Sequence, residues 1–368
     1  MDFTGKRILL AAHALRGFTG SEIHVSELAT FFRDQEASVT CLAMELGDPM
    51  ASELRVQGVK VINHWQLSRE VREFDLVWSH HETIFLWLHL VHRVRARRHL
   101  HGLLSWQQKI ERVPLIPRHL ENGNLRFVAN ATETRDAAAR KSGRNDITVM
   151  PNFVPAPFAR TFRGTLPEKP ERIAVVSNHV PAEVLEASEL LEQRGFAVTI
   201  FGMGHTYTRL NETTLLGFDI VITIGKTVQY GLTQGIPVFV YDRFGGPGYI
   251  HPVDIDAHAA QNFSGRSEPR RLTAEEICRD LVDGYPAACE NVEQLRIQHA
   301  PAFSIAACAK QAIGSFDEDA NPALTSTERF TTLRNHLLGR PQPLVRMIAP
   351  ESVAAVTSLQ ARLKRNAA

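Results

Sequence analysis

Several short stretches combine residue types able to bind or transform a small molecule. Trp78-Ser79-His80-His81-Glu82 places two imidazoles at the end of an apolar run. Imidazole changes charge near neutral pH, so His80 or His81 can serve as acid, base or hydrogen-bond donor; a capping or solvent-facing pair is the plainer alternative. Arg16-Gly17-Phe18-Thr19-Gly20-Ser21-Glu22 lies between an apolar run and a helical pattern. Gly20 and Ser21 then stand where free helix N–H groups meet an anion. Glu22 is a candidate base, with helix-terminus electrostatics as the alternative. The spacing is not G-x-G-x-x-G, so a dinucleotide fingerprint is excluded.

Further along, Gly225-Lys226-Thr227 offers a cation and a hydroxyl at another strand-to-helix turn, suited to phosphate. A Walker loop would need glycine where Ile220 stands, so that reading is rejected. Gly202-Met203-Gly204 and the glycines Gly245, Gly246 and Gly248 promise amides close to a phosphate or sugar; an irregular connector is the alternative for the latter. Arg93, Arg95, Arg97 and Arg98 occur within ten residues that hold no acid, directly after apolar Ile84–Val91. They suggest contact with an anionic membrane surface or a phosphorylated acceptor, or simply a solvated helix face. No His, Cys or Asp cluster has metal-ligand spacing, so no metal is expected.

Elements must position these groups. Apolar runs at Arg7–Ala12, Val39–Met44, Val59–Ile62, Asp75–Trp78, Leu125–Ala129 and Ile147–Met150 read as strands. Val25, Leu28, Ala29 and Phe32 are spaced as one helix face. The alternation breaks around Pro151–Pro157 and Pro167–Pro170, then restarts with strands Ile173–Val176, Val198–Phe201, Asp219–Ile224 and Val238–Tyr241. Strands alternating with helices imply parallel sheets. The expected organisation is an α/β chain of two facing Rossmann-like, doubly wound domains with a C-terminal helical extension. The boundaries are 1–155 for a first domain, 156–170 for a linker, 171–316 for a second domain and 317–368 for the extension, which ends in a helix at 352–364. Ligands of such sheets sit at the carboxyl ends of strands.

Composition narrows the function classes. Of 368 residues, 41 are Lys or Arg and 40 are Asp or Glu, a net charge of +1. A field suited to wrapping nucleic acid is therefore absent. The longest apolar runs fall far short of the ~20 residues a membrane helix needs. Lys6-Arg7 before Ile8-Leu9-Leu10 reads as a first strand rather than a leader. The four cysteines form no C-x-x-C pair and read as reduced thiols of a cytoplasmic protein.

Gly17–Phe32 resembles the opening loop and helix of the GT-B glycosyltransferases, a group that includes lipopolysaccharide and mannosyl transferases. Val149–Val154 resembles the end of their first domain, and Leu216–Ile250 their donor-binding strand–helix–strand with G-x-P-V at 235–238. The resemblance spans about residues 6–315. It implies transfer of a sugar from a nucleotide-sugar donor (UDP-, GDP- or CMP-linked) to a glycan, lipid-linked or surface-polysaccharide acceptor, at a cytoplasmic or inner-membrane-peripheral location. It places Glu22, His80 and His81 as catalytic candidates. Gly20, Ser21, Gly202, Gly204, Lys226, Thr227, Tyr230, Gly245, Gly246 and Gly248 are the donor-binding candidates. Two features depart from the group. Its Glu-x7-Glu pair falls on Ile222 and Tyr230, and the loop Ser177–Pro181 lacks the usual Arg and Lys. His251-Pro252 resembles a pair used with CMP-sugars. The competing readings are a non-catalytic partner subunit of the same fold and, last, a sugar-nucleotide epimerase.

Overall fold

A parallel strand covered on both faces must be apolar on both. β1 (Arg7–Leu15) obeys this, with Ile8 to Ala12 all fully buried. In the computed structural model, which describes residues 1–67, 72–116, 124–314, 316 and 326–339, β1 is an interior strand. It is followed by β2 (Ser38–Leu46), β3 (Lys60–Asn63), β4 (Glu73–His80), β5 (Arg95–Leu103), β6 (Leu125–Ala129) and β7 (Ile147–Val149). These form a seven-stranded sheet in the order β3-β2-β1-β4-β5-β6-β7. Every pairing is parallel. The chain winds outward from β1 to β3, then restarts on the other side of β1 with β4. The β1–β4 boundary is thus a topological switch point, where loops leaving the strand ends diverge and open a ligand-sized gap.

The second sheet contains β8 (Arg172–Val176), β9 (Ala197–Phe201), β10 (Ile220–Thr223), β11 (Val238–Asp242) and β12 (Gly245–Tyr249). Its order is β12-β11-β10-β8-β9, with only β11–β12 antiparallel. Here the switch point lies between β8 and β10. One apolar cluster covers each face, Val221 and Val238 contributing to one and Ile222 and Phe239 to the other. The chain divides into two compact units, Met1–Asn130 with Thr134–Val149 and Lys310–Ala368, and Ala131–Glu133 with Met150–Ala309. Phe158, in the stretch expected to be a linker, is buried in the core of the second unit. Of the C-terminal extension, the helix Ser326–Gly339 is described, and the helix expected at 352–364 lies outside the described residues.

Two expectations are corrected. The basic run at 93–98 is not a helix face or a free patch. Residues from Arg95 onward are the start of β5, an interior strand. Alternation along the strand exposes Arg95 and Arg97 and buries Ala96 between them. Arg95 Nη1 lies 3.2 Å from Glu73 Oε1 and Arg97 Nε 3.8 Å from Asp75 Oδ1, so neighbouring β4 supplies the missing acids. Partial neutralisation of this kind removes the motive for a membrane contact, and Arg93 stands apart at a left-handed turn with φ 54°. No helix among the described residues is long and apolar enough to cross a membrane.

The second correction concerns Arg243–Tyr249, expected as a ligand-binding loop. Gly245–Tyr249 is the antiparallel strand β12. Gly246 N–H donates to Arg270 O at 3.0 Å, so this amide serves the fold. A Cβ on Gly245 would stand 2.1 Å from Arg270 O, and one on Gly246 1.9 Å from Val240 O. Gly248, at φ 88°, pairs with Val240. These glycines allow backbones to approach each other rather than a ligand. Gly246→Ala should therefore lower unfolding free energy by about 1–3 kcal/mol or more through overpacking. Gly20→Ala, where a Cβ meets nothing within 4 Å, should leave stability unchanged or slightly raised. Urea denaturation of both variants checks the pair.

Candidate functional site

The loop after β1 is organised by one carboxylate. Glu22 Oε1 accepts from the N–H groups of Arg16 at 2.7 Å and Gly17 at 3.0 Å. Its Oε2 accepts from Thr19 N–H at 3.1 Å and Thr19 Oγ1 at 2.7 Å. Thr19 caps the helix Gly20–Arg33 in return. Burial alone would raise the Glu22 pKa, but these donors outweigh it and hold the carboxyl below its ordinary range. A carboxylate so satisfied is a weak base, and its evident work is to fold the loop. Gly20 remains exposed and Ser21 half-buried at the helix start, where backbone amides meet solvent.

β4 ends in His80 and His81, which face different surroundings. His80 is fully buried on the face of the sheet covered by the helix Gly20–Arg33, its ring centroid 4.8 Å from that of His24. Its Nδ1–H donates to Gly102 O at 3.2 Å. Gly102 is glycine because a Cβ there would lie 2.3 Å from the imidazole. Burial pushes the His80 pKa down to about 4, against the pull of Glu111, so the ring is neutral at pH 7. A fully buried ring does not touch substrate, and the expected catalytic role of His80 loses its geometric support.

His81 lies at φ 76°, a backbone region that a residue with a Cβ rarely adopts. Its Nδ1 accepts from His13 N–H at 3.0 Å. That fixes the proton on Nε2, which points at Glu111 Oε1 at 3.3 Å. Leu104 N–H donates to Glu111 Oε2 at 3.0 Å. Burial raises the Glu111 pKa, yet His81 and these hydrogen bonds bring it below the ordinary range. With both ring nitrogens engaged, His81 ties β1, β4 and the segment after β5 together.

Sequence reading missed His13 and Glu45. His13 is in β1 and Glu45 in the adjoining β2, with His13 Nε2 3.2 Å from Glu45 Oε1 and Arg16 Nη1 3.0 Å from Glu45 Oε2. The two side chains are 19% and 44% exposed, so this histidine–carboxylate pair reaches solvent beside the switch point. Register gives no signal for this pair, since Glu45 is matched with Ala14 and His13 lies one position out of step with it.

Behind this edge, on the opposite face from His80, runs a buried chain of polar groups. Ser79 Oγ lies 2.8 Å from His99 Nε2 and 2.9 Å from His101 Nδ1. His99 Nδ1 lies 3.0 Å from His89 Nε2. The Phe85 ring packs 5.1–5.3 Å from both His101 and His99. Burial lowers the pKa of His89 to about 4 and those of His99 and His101 well below the usual histidine value. These are neutral core histidines joined by a serine that donates to one ring and accepts from the other. Among the described residues no cluster of three or more His, Cys, Asp or Glu has the geometry to hold a metal ion.

In the second unit, the loops after β8 and β9 touch each other, and β10, which pairs with β8, ends at the same switch point. Gly202, at φ 140°, lets the β9 loop touch the β8 loop, since a Cβ would stand 1.9 Å from Ser177 O. Met203 N–H donates to Asn178 Oδ1 at 3.3 Å, and Gly204 turns the chain at φ 84°. Gly225 (φ 64°) starts the helix Lys226–Gln234, with Lys226 and Thr227 half-buried in its first turn. Lys226 Nζ donates to Phe153 O at 2.6 Å and lies 4.1 Å above the Phe153 ring. Tyr230, a donor-binding candidate by sequence, is 4% exposed and stacked 4.3 Å from Phe158 in the core, with Lys226 Nζ 5.4 Å from its ring centroid. Burial of the ring speaks against the donor contact expected of it. His251 Nδ1 pairs with Asn291 Nδ2 at 3.1 Å.

No protein-family profile matches the chain, and no curated protein is detectably similar to it in sequence. In three dimensions it is similar to a glycosyltransferase from Rickettsia africae ESF-5, with 13% identity and a TM-score of 0.54 over 84% of this chain and 97% of that one. The glycotransferase of kitacinnamycin aligns with 12% identity, a TM-score of 0.47, and coverage of 84% and 99%. CalG4, the calicheamicin glycosyltransferase, aligns with 12% identity, a TM-score of 0.46, and the same coverage. Likeness at this identity is one of architecture. The chain has the GT-B fold, with two Rossmann-like α/β units, as the sequence resemblance implied.

The buried histidines set an acid limit on stability. In the unfolded chain they titrate near 6.5; in the fold His80 and His89 titrate at about 4, so below 6.5 the unfolded state binds more protons. Stability should be flat above about pH 6.5 and fall as pH drops toward 4, each such histidine adding about 1.4 kcal/mol per pH unit to the slope. Glu22 and Glu111, whose pKa values are lowered, add their loss only below the ordinary carboxylate range. Urea midpoints from pH 4.5 to 8 test this, and a slope that His89→Phe does not reduce would contradict it.

Proposed function

We propose that the protein transfers a sugar from a nucleotide-sugar donor to a hydroxyl of a glycan or lipid-linked acceptor. The observation that carries this reading is the content of the two switch points in a GT-B fold. The second unit supplies turns suited to phosphate, and the first a solvent-reaching histidine–carboxylate pair. Fold alone hosts many functions, so the weight rests on these groups.

In the second unit the donor phosphates would take the first-turn amides at Lys226 and Thr227, with the Lys226 ammonium and the Gly202–Gly204 turn beside them. In the first unit Glu45, the more exposed partner of the pair, would take the acceptor proton while His13 Nε2 and Arg16 hold its carboxylate in place. Glu22 then shapes the loop and His81 fixes it, both as positioning residues. The leaving phosphate is held by the helix N-terminus and Lys226, without a metal. The location we infer is cytoplasmic.

A second reading is a nucleotide-sugar-binding subunit without turnover. It draws on Tyr230, a core residue where the resembling group carries a ribose-binding glutamate, and on the tie of Lys226 to Phe153 O.

Thermal shift across UDP-, GDP- and CMP-sugars, followed by nucleotide release with a saccharide acceptor, separates these readings. The transferase reading expects one donor to stabilise the fold by RT ln(1 + [L]/Kd), about 2.7 kcal/mol at 100 Kd, and to turn over. Lys226→Ala should weaken donor binding by about 1.5–3 kcal/mol. Glu45→Gln should slow turnover by about 10²–10⁴ with donor affinity unchanged. Donor binding with no nucleotide released for any acceptor would favour the subunit. A Glu45→Gln enzyme within a few-fold of the parent would remove Glu45 as the base.

A further inference from the structure

The first unit holds a pocket that neither switch point uses. It lies between the segment after β5 and the helix Thr132–Ser142, and its volume is about 260 Å³. Trp106, Glu111, Arg112, Thr134 and Lys141 contribute to its lining. Ligand pockets for drug-sized molecules run to about 300–1,000 Å³, so this one suits a single sugar ring.

Its chemistry is specific. Trp106 offers an indole surface, and Lys141 Nζ lies 5.3 Å above that ring and 3.3 Å from Trp106 O. Arg112 is half-buried, and no described carboxylate stands at ion-pair distance from Arg112 or Lys141. Glu111 is buried and already accepts from His81 and Leu104. A carboxylate has about four lone-pair sites, so two further hydrogen bonds can be accepted. Two cations with no carboxylate partner among the described residues, an aromatic face and a buried acceptor make a set that fits an anionic ring bearing hydroxyls. The guanidinium matches a carboxylate or phosphate in a two-bond fork. The apolar face of a sugar ring packs on indole. A ring hydroxyl donates to Glu111.

We propose that this pocket binds one anionic monosaccharide unit, a uronic acid or a sugar phosphate, as part of the acceptor. The binding stands on the pocket itself; its assignment to the acceptor rests on the transferase reading. Through Glu111 the bound sugar is one side chain away from His81, and through the His81–His13 hydrogen bond it is linked to the end of β1. Occupancy of the pocket is therefore felt at the edge where the acceptor hydroxyl is placed.

Calorimetry on the full chain with glucuronic acid, glucose 6-phosphate, glucose and inorganic phosphate tests the proposal. At least one anionic sugar should bind tenfold or more tighter than glucose. Which of the two binds identifies the anion. The double variant Arg112→Gln/Lys141→Gln should lose that preference by tenfold or more while keeping its melting temperature. Trp106→Ala should weaken both the anionic and the neutral sugar. Equal affinity for glucose and both anionic sugars, or for inorganic phosphate and glucose 6-phosphate, overturns the proposal. So does an anionic preference that survives the double variant. Donor turnover without anionic-sugar binding overturns this inference and leaves the transferase reading standing. Anionic-sugar binding in a chain that binds no nucleotide sugar does the reverse.

Discussion

His81 is the joint on which the first unit's functional edge depends. Its backbone stands at φ 76°, which costs on the order of 1–3 kcal/mol for a residue with a Cβ. The fold tolerates this because the imidazole is held at both nitrogens, by the amide of His13 and the carboxylate of Glu111. Each bond fixes a different segment. The His13 contact aligns the end of β1, and Glu111 draws in the chain after β5 and closes the loop at Leu104. The sharp exit from β4 that follows starts the helix Glu82–Leu86 under the sheet edge. Glu82 meets His336 of the C-terminal helix at 3.1 Å, both side chains fully buried. The extension is thereby fastened to the same corner.

The neighbourhood of this joint explains why so many histidines sit in one unit. An imidazole can be buried if it stays neutral and its N–H finds an acceptor. His80, His89, His99 and His101 meet the first condition through burial that lowers their pKa values. The second is met by Gly102 O for His80 and by the Ser79 relay for the others. Residues that looked catalytic by type thus divide by environment. Those inside the sheet are structural, and the His13–Glu45 pair at its edge keeps a solvent-exposed carboxylate.

Much of the architecture was legible because apolar runs in parallel sheets are hard to disguise. β6 matches its expected range, and most other expected strands match within a few residues. β5 was illegible for a physical reason. Its exposed start carries Arg95, Arg97 and Arg98, and its buried half replaces aliphatic side chains by His99 and His101, which become core residues only through Ser79 and Phe85. No local pattern announces that pairing, because Ser79 and His101 are matched across strands. The glycines at 245–248 misled in the opposite way. Glycine reports that something approaches closely, and here the approaching group is the backbone of Val240 and Arg270.

The same reasoning separates what the second unit keeps from what it lacks. Without an acid at position 230, the helix Lys226–Gln234 turns Tyr230 inward onto Phe158 and joins the core. Its first turn is unaffected, since Gly225 at φ 64° sets the start of the helix independently of its later residues. Lys226 is poised by Phe153 O and the aromatic face beneath it, which hold an ammonium without neutralising it. The first turn of this helix is therefore set by a backbone turn and one cation, independently of the positions where the resembling group carries its Glu pair.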